Sequence, residues 1–330
     1  MTKQTKVVVT GAGGFIGHHL VTFLKQRGYW VRGVDLKRPE YGATDADEFL
    51  LLDLRRREHC FQATYGIDEV YALAADMGGM GFISAHHAQI LHNNALINLH
   101  TLEAAHWNGA KRFLFASSAC IYPEYLQETA EVLPLKEEDA YPAQPQDAYG
   151  WEKLMTERLC LHYYEDYGLE TRIARFHNIF GPLGTWNGGR EKAPAALCRK
   201  IATAKLEGRT DIDIWGDGEQ TRSFCYVDDC VEGIYRLMRS DYRQPLNLGQ
   251  DRMLSINELA DIIADIAGVE IMKCHVPGPQ GVRGRNSDNS RLRQVLGWEP
   301  QISLEEGLAR TYQWIEAQVV TSLTPAAVAD

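Results

Sequence analysis

Thr10-Gly11-Ala12-Gly13-Gly14-Phe15-Ile16-Gly17, "TGAGGFIG", directly follows the β-branched apolar run Lys6-Val7-Val8-Val9. After its glycines at 11, 14 and 17, a helical apolar pattern continues through Phe15, Leu20, Phe23 and Leu24. Glycine lets a backbone turn sharply and approach a diphosphate, and a helix N-terminus offers free N–H groups and the positive end of a dipole. A glycine loop alone is a weak signal. Placed between a strand and a helix it predicts a dinucleotide site, with Gly11, Gly14, Phe15, Ile16 and Gly17 against the cofactor.

The pattern outward from this loop is strands alternating with helices. "YWVRGVD" is a second strand ending at Asp35, "EFLLLD" a third ending at Asp53, and "EVYALAA" a fourth ending at Ala75. A glycine-rich turn then leads into a long helix expected from Ile83 to Trp107. A fifth strand, Arg112-Phe113-Leu114-Phe115, runs into "ASSACIYP". The proline-rich "YPAQPQDAYG" closes on a helix expected from near Asp147, and "ETRIARFHNIFG" reads as one further strand. This alternation predicts an α/β fold, a doubly wound parallel sheet of the Rossmann type. Beyond about residue 181 the alternation weakens. Short strands ("DIDIW", "PLNLG") and helices near 192–205, 228–239, 255–267 and 304–319 suggest a smaller mixed lobe. The expected division is a cofactor domain at 1–180, a substrate lobe at 181–320 with the chain free to cross back, and a flexible tail at 321–330.

The bulk numbers narrow the function. At 330 residues and 45% apolar the chain can bury a large core. No apolar run approaches the roughly 20 residues that span a bilayer, and the early first strand leaves no room for a secretory signal. Seven cysteines without a C-x-x-C pair suggest reduced thiols in a cytoplasm rather than disulfides or zinc. The eleven histidines show no ligand spacing, so no metal is expected. A net charge of −10 disfavours a broad nucleic-acid surface, while a small anionic ligand needs only a local cationic cluster.

Asp35 ends the second strand, where a carboxylate can accept from an adenosine ribose and would repel a 2′-phosphate. NAD is therefore favoured over NADP, although Arg38 nearby weakens the preference. Asp53 has two comparable readings, an acceptor for the adenine amino group or a helix N-cap. Tyr149 and Lys153 in "YGWEK" lie four apart, on one helix face. An ammonium close to a phenol favours phenolate and makes tyrosine a usable base.

These features together resemble the extended short-chain dehydrogenase/reductase family. The matching motifs are TGAGGFIG, the "LAA" that closes the fourth strand with Ala74, the strand-end Ser118, and Tyr149-x-x-x-Lys153. The resemblance implies that Tyr149 exchanges a substrate hydroxyl proton while NAD takes hydride from the same carbon. Lys153 would also hold the nicotinamide ribose, and Ser118 would donate to the developing carbonyl. Within the family, "AADMGGMGFI", "ASSACIYPE", "PQDAYGWEK", "RFHNIFGPLGTWNGGREKAPAA", "WGDGEQTRSF" and "PGPQGVRGRNSDN" are similar to the branch that epimerises GDP-mannose.

That branch oxidises C4 of the hexose, which acidifies the hydrogens on C3 and C5, and inversion then needs a base on one face and a proton donor on the other. Resemblance assigns this pair to Cys120 and Lys192, the latter on the glycine-bearing loop "NGGREKAP", with the direction of each transfer open. Gly78 is expected to touch the sugar. Asn178, Arg222 and Arg285 are expected to hold the diphosphate or sugar, with Arg190 as a further candidate, whereas Arg283 is equally a surface charge. The implied partners are the small molecule GDP-mannose and a second copy of the chain in a homodimer. The rival GDP-4-keto-6-deoxymannose epimerase/reductase also carries serine, one residue, then cysteine, but Asp35 and the Lys192 loop argue against it. Simple 4-epimerisation would leave Cys120 unexplained, and a catalytically silent NAD sensor need not keep Ser118, Tyr149 and Lys153 together.

Overall fold

The computed structural model describes residues 4–323. Its centre is a parallel sheet of seven strands: β1 (Lys6–Thr10), β2 (Trp30–Asp35), β3 (Glu48–Leu51), β4 (Glu69–Ala72), β5 (Arg112–Ser118), β6 (Glu170–Phe176) and a seventh supplied from later in the chain. The helices that cross between them are α1 (Phe15–Gln26), α2 (Arg57–Thr64), the single turn α3 (Met80–Ile83), α4 (His87–Trp107) and α5 (Ala148–Tyr167). Val7, Val8 and Val9 of β1 are fully buried because helices cover both faces of the sheet.

The rest of the chain comprises β7 (Ile179–Phe180), α6 (Ala193–Glu207), β8 (Asp211–Trp215), β9 (Thr221–Ser223), β10 (Cys225–Tyr226), α7 (Val227–Arg239), β11 (Pro245–Leu248), β12 (Met253–Ser255), α8 (Ile256–Ala267), β13 (Met272–Val276), β14 (Gly284–Arg285), α9 (Ser290–Leu296) and α10 (Leu304–Leu323). The sheet order is β11-β6-β5-β4-β1-β2-β3. The order reverses between β1 and β4, which opens the crevice at the C-terminal strand ends where such sheets hold ligands.

Four expectations change. "PLNLG" is β11, which pairs in parallel with β6 in the central sheet rather than in the smaller lobe. The long helix begins at His87, four residues later than expected, because Ser84 Oγ donates to Met80 O at 2.7 Å and the His86 ring bonds Phe82 O, ending α3 first. "ETRIARFHNIFG" divides into β6 and β7 because Asn178 takes the left-handed conformation, φ +45°. Residues 321–323 of the expected tail continue α10, and 324–330 lie outside the described residues.

The β5–β6 side of the sheet rests on a buried polar network. Arg175 on β6 donates to Glu157 on α5 through Nε at 2.9 Å and Nη2 at 2.7 Å, and both side chains are fully enclosed. Ser117 Oγ donates to the same carboxylate at 2.5 Å, tying the end of β5 to α5. Removing one partner of such a pair leaves an uncompensated buried charge. Glu157→Gln is therefore expected to lower unfolding free energy by about 3–5 kcal/mol, read from urea melts. A loss below about 1 kcal/mol would show that the pair does not hold this side of the sheet.

Candidate active site

Every residue expected to bind or react lines one cleft of about 1030 Å³ at the C-terminal ends of the sheet strands. A separate cavity of about 480 Å³ behind Arg175 and Glu157 carries none of them.

At the cofactor end, Gly11 has φ +73°, and a Cβ there would lie 2.9 Å from the Ala74 nitrogen. A Cβ on Gly17 would lie 2.1 Å from the Gly11 carbonyl oxygen, so α1 can approach β1 only with glycine at 17. No side chain caps α1 and no acid stands in its first turn, which leaves its amide end available to an anion. Asp35 accepts from the backbone nitrogens of Gly13 at 2.9 Å and Leu36 at 2.6 Å. Burial pushes its carboxyl above the usual range, opposed by those N–H groups. Asp53 is not a helix N-cap, since α2 starts at Arg57. It accepts from the Arg55 backbone at 3.0 Å and pairs with the Arg55 guanidinium at 2.7 Å on the cleft wall. A loop pressed against β4, an open helix end and a carboxylate at the lip suit a dinucleotide.

In the middle of the cleft, β5 delivers Ser118 and α5 delivers Tyr149 and Lys153. Ser118 Oγ caps the turn Ala119–Ile121 by accepting from the Cys120 nitrogen at 3.1 Å, which fixes the thiol next to Ser118. Asp147 caps α5 by accepting from the Gly150 nitrogen at 2.8 Å. Lys153 Nζ stands 5.4 Å from the Tyr149 ring centroid. Burial raises the Tyr149 phenol well above its ordinary value; Glu152, Cys120 and Asp147 add to the rise, and a hydrogen bond with Ser118 opposes it. The protein by itself therefore holds this phenol protonated, where the sequence had suggested a lysine-assisted phenolate.

Glu152, one residue before Lys153, was not anticipated. It is fully buried, accepts from Asn94 at 3.0 Å and Asn98 at 2.9 Å, and lies 3.8 Å from Lys153 Nζ. Only the contacts between α4 and α5 reveal it, and no sequence spacing signals them.

Lys192 is the N-cap residue just before α6 and lines the cleft. Water reaches its side chain, yet protein walls surround it beyond the first layer. That enclosure draws its ammonium below the ordinary lysine value, opposed by Cys120 and Cys230. Its loop is docked on the glycine turn, with the Gly79 nitrogen donating to Arg190 O at 3.0 Å. A Cβ on Gly79 would lie 2.5 Å from Glu191 O, so Gly79 is the glycine this contact requires, while Gly78 packs against Phe82.

Arg222 donates to the Val282 carbonyl at 2.6 Å and the Thr221 carbonyl at 2.7 Å. Burial and the charge of Arg285 both weigh against its cation. Among the described residues neither arginine has a carboxylate partner. Arg283 instead pairs with Asp217 at 2.7 Å, outside the cleft, and is a surface charge. Asn178 donates to Ser223 O at 2.9 Å. Lys200, Trp215 and Gln220 also line the far end, and the Oε1 of buried Gln220 has no partner.

A glycine loop on a helix end, a carboxylate at the lip and a Ser/Tyr/Lys group midway define an NAD-dependent Rossmann enzyme. The family model described as the NAD dependent epimerase/dehydratase family matches residues 7–249, and the chain belongs to that family. It is 53% identical over 321 residues to GDP-mannose 3,5-epimerase of Arabidopsis thaliana, covering 96% of this chain and 84% of the relative. It is 31% identical to GDP-L-fucose synthase of Escherichia coli, covering 95% and 97% of the two chains. The solved UDP-glucose 4-epimerase of Thermotoga maritima superposes with TM-score 0.86 at 27% identity over 96% of this chain and all of the other.

The lowered Lys192 value has a measurable sign. At any pH below the ordinary lysine value of about 10.4, its neutral fraction exceeds that of a surface lysine, and the advantage vanishes well above that value. At pH 8, acetic anhydride should therefore modify Lys192 faster than the exposed Lys37, as read by peptide mass spectrometry. Equal or slower modification would contradict the electrostatic account of the cleft.

Proposed function

We propose that the chain epimerises GDP-mannose at C3 and C5, giving GDP-L-galactose, and GDP-L-gulose where C5 alone inverts. The observation that carries this reading is a thiol, Cys120, fixed next to Ser118 at the strand end and lining one cleft with Tyr149 and Lys192. Bound NAD supplies a reversible hydride acceptor for the sugar C4.

Tyr149 first gives up its own proton to solvent, with Lys153 as the cation near its ring favouring phenolate, and then takes the O4 proton as C4 is oxidised, while Ser118 donates to the new carbonyl. The ketone acidifies the adjacent C–H bonds because the carbanions are enolates. One of Cys120 and Lys192 removes a proton from C5 or C3, and the other returns one to the opposite face. When hydride comes back to C4, Tyr149 gives O4 its proton, and the burial that favours the neutral phenol can be overcome only while a cation is near. Atoms and electrons balance, and the net reaction is isomerisation. Arg222 and Arg285, buried without carboxylates, suit the diphosphate, whose oxygens accept the forked N–H groups of arginine. Asn178 and Gly78 line the space beside the sugar. We read 1–180 as the cofactor domain and most of 181–320 as the substrate lobe, with β11 returned to the first.

Cys120→Ser should keep NAD and GDP-mannose binding while exchange of the C3 and C5 hydrogens with deuterated water falls by at least about 100-fold. Exchange at the wild-type rate would refute the assignment.

We also read the chain as a cytoplasmic homodimer, consistent with its free thiols. Leu91 and Leu99 on α4 and Trp151 and Met155 on α5 are exposed apolar side chains on two neighbouring helices, a surface a second copy would cover. Met155→Asp should move the sedimentation coefficient from dimer to monomer; a wild-type monomer at micromolar concentration would exclude this reading.

A further inference from the structure

Gln127 sits outside every motif that marks the site, yet it is only 1% exposed and all its polar groups are engaged. Its side-chain amide donates to the carbonyls of Tyr122 at 3.1 Å and Pro123 at 3.0 Å, in the segment that leaves the Cys120 turn. Its backbone carbonyl accepts from the nitrogens of Arg283 at 2.9 Å and Gly284 at 3.2 Å, the start of β14. Its Oε1 accepts from Arg285 Nε at 2.5 Å. One residue thus joins the thiol-bearing turn to the strand carrying Arg285. The free end of that guanidinium then lies on the thiol, with Arg285 Nη1 3.4 Å from Cys120 Sγ.

We infer that Gln127 is a positioning residue for the reaction, holding Arg285 so that one of its N–H groups donates to Cys120 sulfur and stabilises thiolate. The inference deepens the proposed function and rests on the acid/base reading of Cys120. A neutral amide suits the task. A carboxylate at 127 would cancel the guanidinium charge that the sulfur needs, and an apolar side chain would leave Nε of a buried arginine without an acceptor. A planar guanidinium gripped at Nε has its Nη1 direction fixed, which a lysine could not reproduce. The charged or titratable groups that interact with Cys120 are Tyr149 on α5, Lys192 at the head of α6, Arg222 on β9 and Arg285 on β14. Of these, Arg285 is the one in direct hydrogen-bond contact with the sulfur.

The test is alkylation of the NAD-loaded enzyme by iodoacetamide at pH 7.5 without substrate, followed by peptide mass spectrometry. The half-buried Cys274 on β13 serves as a control within the same chain. A charge-assisted hydrogen bond is worth enough that Arg285→Met should slow Cys120 alkylation about tenfold. Gln127→Met, close to glutamine in shape, should slow it about threefold by letting the guanidinium drift. Gln127→Glu should approach the Arg285→Met rate, although it keeps Arg285 in place, and Cys274 should react at the wild-type rate throughout. Wild-type Cys120 reactivity in both Gln127 variants would overturn the proposal. Faster alkylation of Cys120 and Cys274 together would also overturn it, by marking Gln127 as a structural staple only. Failure of the underlying reading is separate: Cys120→Ser would then retain deuterium exchange, whatever the alkylation rates.

Discussion

The candidate site depends on one close approach, that of α5 to the turn after β5. Gly150, the third residue of that helix, lies so near that a Cβ would stand 2.1 Å from the Cys120 carbonyl oxygen and 2.8 Å from Pro145. Any side chain would push the helix away from the strand end. Because the helix can settle there, Tyr149 and Lys153, one turn apart, come to rest beside Ser118 and Cys120. The Asp147 cap fixes where the helix begins, and the Glu157 carboxylate, gripped by Ser117 and Arg175, fixes how far it leans. Four groups from two distant stretches of chain are registered by backbone contact rather than by loop flexibility.

The electrostatics of the cleft oppose those of the chain. A protein of net charge −10 keeps Lys192, Arg222 and Arg285 together in one enclosed space, with no carboxylate on either arginine among the described residues. Such an arrangement is unfavourable in isolation: Arg285 and the half-buried Arg222 lose hydration and repel one another. The surrounding carbonyls of Thr221, Gln280 and Val282 offset part of that cost for Arg222. On the proposed reading an anionic ligand relieves the remainder, so affinity for the substrate and the cost of gathering these cations are two sides of one arrangement.

Much of this was legible in the sequence, for reasons that are local. The glycine spacing, the strand-end acid, Tyr149 and Lys153 four apart and the helix start near Asp147 are each dictated by one element's own geometry, and each lies where the sequence pattern predicts. What could not be read depends on contacts between segments far apart in the chain. β11 carries the same pattern as a strand of the smaller lobe, and only its pairing with β6 assigns it to the central sheet. Glu152 looks like a solvent-facing helix residue until α4 brings Asn94 and Asn98 against it. Arg283 lies just before β14 and Arg285 in it, two residues apart, and the local pattern gives no reason why the first meets Asp217 at the surface while the second meets a thiol. Asp53 shows the converse, since its capping role was plausible locally and fails because α2 begins only at Arg57.

The pairing of Ser118 with Cys120 links two reactions that need different groups. Hydride transfer at C4 requires a hydrogen-bond donor for an oxygen and a proton acceptor for a hydroxyl, roles that suit Ser118 and Tyr149. Proton exchange at a neighbouring carbon requires a group that ionises readily near neutrality and reaches past the carbonyl, and a thiol fits where a second hydroxyl would not. On the proposed reading, a spacing of one residue across a turn capped by Ser118 itself puts the two functions on adjacent parts of one sugar ring without a hinge between them. Lys192, by contrast, follows a loop whose Gly188 and Gly189 adopt φ of +93° and +85°, where an added Cβ would meet nothing within 4 Å, and whose nitrogens bond only side chains of the same loop, Asn187 and Glu191. On the proposed reading the fixed partner is the thiol and the adjustable one is the amine. A ketone exposed on both faces is then met by one rigid and one adaptable proton carrier, which allows inversion at either of two carbons without moving the oxidised centre away from the cofactor.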